Sequence, residues 1–143
     1  MTTPEQTDHP PASYLSLSVP ASPNQLGLLR AMARTVVAQH ALSMDALADL
    51  VLAVDEAAAT LVSHARPTST LVATFDLTTD RRRVRVILTT TLSSPLELTP
   101  ASFSWLVLRT LVDHLALEQV LASEGNDDDR ATITLDKVLQ ARS

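Results

Sequence analysis

The chain contains no cysteine, only two glycines and only four aromatic side chains among 143 residues. Without cysteine there is no disulfide scaffold, no thiolate zinc site and no cysteine nucleophile, a composition that agrees with a reducing cytosol. The two glycines, Gly27 and Gly125, cannot supply a glycine-rich loop of the kind that lets phosphate approach the backbone closely. No apolar run is long enough to cross a bilayer or to form a signal-peptide core, and Met1 to Ser13 is polar and proline-bearing. The expectation is a disordered tail over 1–13 and a single domain over 14–143, in a cytoplasmic protein that does not touch membranes. A net charge of −5 argues against direct nucleic-acid binding, which needs a basic surface. The one basic cluster, Arg81-Arg82-Arg83 with Arg85, reads as a solvated hairpin turn and an edge strand whose charges discourage aggregation. What is present is a chain 45% hydrophobic, enough for a core that needs no staples.

Leu15, Leu17 and Val19 alternate with Tyr14, Ser16 and Ser18, the period of a strand with one buried face. A first helix follows, with Ser22 as cap, Pro23 at the first helical position and Gln25 completing a capping box. Leu26, Leu29, Ala33, Val36 and Val37 form its apolar face and leave Arg30 and Arg34 one turn apart on another. Ser43 opens a second helix with a stripe of Met44, Leu47, Val51, Val54, Ala58, Leu61 and Ala65, ended by Pro67. Asp49, Ala53, Glu56, Thr60 and Ser63 fall roughly opposite that stripe. Strands over about 70–77 and 82–90 pair as a hairpin around Thr79-Asp80. Ser102 to Ala116 reads as a third helix buried on more than one side, and strands over 118–123 and 130–137 flank a turn at 125–129. This order predicts an α+β two-layer sandwich, with helices on one face of a mixed, mostly antiparallel sheet.

Other candidate chemistry is thin. His64 has no second histidine or cysteine at ligand spacing, so it reads as a surface residue and no metal site is expected. Asp127-Asp128-Asp129 lacks the alternation and terminal glutamate of a calcium loop and reads as a solvated turn. Phe103 and Trp105 are either core anchors or interface residues.

The second helix and the order of elements around it resemble the RsbW-type anti-sigma factors, serine-kinase-like members of the GHKL ATPase superfamily. The stretches Asp49-Leu50-Val51-Leu52-Ala53-Val54-Asp55-Glu56 and Pro100-Ala101-Ser102-Phe103-Ser104-Trp105 carry the likeness to the mycobacterial branch, over about Ser18 to Lys137. The resemblance implies the histidine-kinase-like (Bergerat) ATPase fold. It also implies that Glu56 occupies the place of the family's catalytic base, and that Thr60 stands where an asparagine holds magnesium beside the nucleotide. The family's adenine-binding aspartate and spaced glycines fall on Thr89-Thr90-Thr91-Leu92, so no cofactor is expected, ATP and magnesium being the candidates if the pocket still works. The implied function is sequestration of a stress-type, sigma F-like RNA polymerase sigma factor, relieved by a STAS-type anti-anti-sigma factor. Arg30, with Arg34 one turn on, matches the partner-contacting arginine of that family's first helix, and a homodimer through the sheet layer is implied by likeness. The alternative is an active serine/threonine kinase that uses Glu56 and magnesium-ATP to phosphorylate its antagonist.

Overall fold

The computed structural model describes residues 14–39, 43–77, 83–122 and 128–138. Strands β1 (Tyr14–Pro20), β2 (Thr70–Asp76), β3 (Arg83–Leu92), β4 (His114–Val120) and β5 (Asp129–Val138) form one sheet in the order β1-β2-β3-β5-β4. Helices α1 (Leu26–Ala38), α2 (Met44–Ser63) and α3 (Phe103–Leu111) complete the predicted order of elements. Every neighbouring strand pair is antiparallel, which corrects the expectation of a mixed sheet. The reason is parity. Two helices in succession return the chain to its starting end, so β2 enters against β1, and β3 pairs with β5 instead of β4. The N-terminal tail, the turn at Thr79-Asp80, Arg81, Arg82 and most of the 125–129 turn lie outside the described residues.

The inward faces of the three central strands bury Leu71, Ala73 and Phe75, then Val84, Val86 and Leu88, then Ala131, Ile133 and Leu135. Onto them pack α1, through Leu29, Ala33, Val36 and Val37 as expected, and α2, which touches α1, α3 and the sheet together. That central position corrects the assignment of one stripe to α2. Ala46, Leu50, Ala53 and Ala57 are buried as well, so Ala53 belongs to the core, whereas Met44 is 80% exposed. The Ser43 side chain caps α2 by accepting from the Ala46 N–H at 3.0 Å. The box ahead of α1 does not form: residues Pro23–Gln25 make a 3-10 turn, and the Ser22 hydroxyl donates to Asn24 Oδ1 instead. Strand β1 buries only Val19 of its three apolar residues, because it lies at the sheet edge.

Helix α3 is shorter than predicted and buries only Leu108, with Phe103 80% exposed. Its chain leaves the helix where the Asp113 N–H donates to the Asp136 carbonyl at 2.8 Å and the Asp113 carboxylate accepts from the Val138 N–H at 2.7 Å. These bonds draw His114 onward into β4. Lys137 ties the layers together, donating to Asp49 of α2 at 3.3 Å and to the last-turn carbonyl of Leu111 at 2.9 Å.

No helix among the described residues covers the other sheet face. Hydroxyl pairs line it, Ser16 with Thr74 at 2.8 Å and Thr89 with Thr132 at 3.0 Å. At one end a row of direct cross-strand neighbours runs Tyr14, Asp76, Arg85, Asp136, His114. Arg83 and Arg85 therefore sit on the middle strand, not on an edge as the sequence suggests. Arg85 donates to Asp136 through Nε at 2.8 Å and Nη2 at 3.2 Å, and Arg83 approaches the same carboxylate at 3.7 Å. The Asp136 hydrogen bond and charge, with smaller help from Asp76, hold the Arg85 guanidinium above its ordinary pKa.

Candidate functional site

Glu56 and Thr60 lie one turn apart on the side of α2 that faces α3. Serine 102 caps α3 by accepting from the Trp105 N–H at 3.3 Å, which sets Ser104 in the first turn. From there the Ser104 hydroxyl donates to Glu56 Oε2 at 2.8 Å, placing a carboxylate near the positive end of α3. Lys137 fixes the opposite end of α3 beside Asp49, so α3 runs antiparallel to α2. The Thr60 hydroxyl donates to the Glu56 carbonyl at 2.9 Å, the common back-bond of a helical threonine. Beyond it opens a recess of about 300 Å³ lined by Thr60, Ser63, His64, Glu97 and Ser104 among others. His64 caps α2 and lies 3.0 Å from the Ser63 hydroxyl through Nδ1. Among the described residues no three His, Asp or Glu side chains lie together as a metal site would need.

Arg30 and Arg34 occupy a different place, the α1 side of α2. Arg30 donates to Asp55 Oδ1 through Nε at 3.1 Å and Nη2 at 2.8 Å. Arg34 lines the same groove one turn further on. The structure thus brings the four singled-out residues into two groups on opposite flanks of one helix.

Sequence reasoning did not find Asp55, Ser104 or Asp136 as partners. The pairs are separated by 25, 48 and 51 residues, and although Asp55 and Ser104 stood in stretches already singled out, nothing in the sequence paired them with Arg30 and Glu56. Asp128, read as part of a solvated turn, pairs with Arg66, and Asp129 accepts from the Ala122 N–H. Of the two aromatic candidates, Phe103 is at the surface and Trp105 is half-buried, with its indole N–H buried and unpartnered among the described residues.

An antiparallel five-stranded sheet with three helices packed on one face makes this an α+β two-layer domain. The chain belongs to the histidine kinase-like ATPase domain family, whose model matches residues 19–127. It is similar to the anti-sigma-F factor RsbW of Mycobacterium tuberculosis, in strains CDC 1551 / Oshkosh and H37Rv alike, at 36% identity over 101 residues. That alignment covers 69% of this chain and 58% of the relatives' length. Its fold matches the crystal structure of the RsbU and RsbW domains of Rv1364c from the same organism, with a TM-score of 0.64 and 18% identity over 93% of this chain and 34% of that one.

Proposed function

We propose that this domain is an anti-sigma factor that works by docking, sequestering a stress-type, sigma F-like sigma factor in the cytoplasm until a STAS-type antagonist competes for it. The likeness to the RsbW factors supports the partner class. The observation that carries the mode of action is the 2.8 Å bond between Glu56 and Ser104, which commits the carboxylate to closing α3 against α2. The residues present fit a magnesium-nucleotide complex poorly. Thr60 spends its hydroxyl on its own helix, and β3 ends in Thr89-Thr90-Thr91-Leu92 where an adenine-binding aspartate and glycines would stand. The sheet face that no described helix covers supports a homodimer through that layer.

Isothermal calorimetry with magnesium-ATP tests this reading. No heat of binding is expected at millimolar nucleotide. Micromolar affinity abolished by Glu56→Ala would instead favour the reading that the retention of Glu56 on α2 suggests, a serine/threonine kinase acting on its antagonist. The Arg30→Glu variant should weaken sigma-factor binding by about tenfold, as the loss and reversal of a planar two-pronged donor implies. Its circular dichroism should match the wild type, because Arg30 is exposed and its pair with Asp55 is a surface one. Unchanged affinity in a titration would remove Arg30 from the docking surface.

A further inference from the structure

Between α1 and α2 runs a groove of about 460 Å³ whose floor comes from α2, where Leu47, Val51 and Leu52 stand three, seven and eight residues after Met44 and so share one face. Met44 at 80% and Leu52 at 56% exposure hold apolar surface in water that a partner would release. The wall on α1 carries Arg30 and Arg34, and Asp55 closes one end by accepting from Arg30. Arg34 makes no hydrogen bond or ion pair with any described residue. Two arginines less one aspartate leave the rim at +1 in a chain whose net charge is −5. An acidic partner is repelled by the molecule as a whole and drawn to this rim. From Met44 to Asp55 the stripe rises about 16 Å, the length of three helical turns. Both walls are helices with satisfied backbones, so the groove offers no strand edge to an extended peptide.

We infer that this groove takes one amphipathic α-helix of the sequestered protein, about three turns long. Its large apolar side chains rest on Met44, Leu47 and Leu52, and a carboxylate faces Arg34. The inference rests on the docking function and names the part of the partner that is gripped.

The test titrates the full chain against the sigma factor with which it co-purifies, using fluorescence anisotropy. Met44→Glu and Leu52→Glu alter exposed positions, so both should keep the wild-type circular dichroism while losing about tenfold or more in affinity. Arg34→Glu should lose a similar factor and recover it when the facing carboxylate of the partner is changed to lysine. Phe103→Glu, on the exposed side of α3, should bind like the wild type. Undiminished binding by Met44→Glu and Leu52→Glu, or a loss confined to Phe103→Glu, would overturn the groove and leave sequestration standing. A wild-type chain that binds no sigma factor would overturn sequestration instead. The groove is then probed with a synthetic amphipathic peptide of about three turns, leucines at helical spacing and one glutamate. Saturable binding lost in Leu52→Glu supports the groove, and no saturable binding overturns it. A sedimenting dimer that Met44→Glu splits would also overturn it, by showing a second copy of the chain there.

Discussion

Truncating Leu61 to alanine lowers the free energy of unfolding by about 2 to 5 kcal/mol, read from urea denaturation followed by circular dichroism. Leu61 is fully buried, on the helix that touches α1, α3 and the sheet at once. Neighbours held on three sides cannot collapse into the vacated volume, so the cavity cost adds to the lost transfer energy. A loss below about half a kcal/mol, typical of surface positions, would mean that this face of α2 is not the core.

The second large effect is expected at the far end of the open sheet face. Asp136→Ala leaves Arg85 and Arg83 without the carboxylate they share, and should cost about 2 to 4 kcal/mol in the same assay. That reaches only the lower part of the range of about 3 to 5 kcal/mol for breaking a fully buried pair, because both arginines keep roughly a third of their side-chain surface in water. Pairing Asp136→Ala with Arg85→Met should recover part of the loss, since the second change removes the stranded cation; strict additivity in that cycle would show that the pair is not coupled. Raising the pH should not weaken the pair over the ordinary range. A guanidinium whose pKa is raised on folding contributes stability that is present below its unfolded titration and lost only as pH climbs through the folded one.

The local features of this fold were the legible ones. Residues Leu29, Ala33, Val36 and Val37 repeat at helical spacing and are buried; Ser43 caps as its position suggests; the β2–β3 hairpin follows from two β-branched runs. What escaped depends on neighbours distant in sequence. The burial of Ala53 needs α3 and the sheet to be in place, and Arg85 reads as an edge residue until β5 is known to pair outside β3. The end of α3 was ambiguous for another reason. Leu115 and Leu117 suit a helix by composition and a strand by alternation, and the bond from Asp113 to Asp136 decides between them. At the candidate site, helix geometry made legible that Glu56 and Thr60 project the same way, but not that α3 packs on that side. The serine that Glu56 meets was not legible either, because helix–helix register leaves no periodic mark in a single sequence.

Lys137, the one lysine in the chain, is held between Asp49 and the Leu111 carbonyl with its side chain 14% exposed. Succinimide esters and other amine-seeking reagents will thus find scarcely any side-chain nucleophile on this domain. Mapping its complexes by cross-linking calls for carboxyl- or guanidinium-directed chemistry, with the groove arginines as natural attachment points.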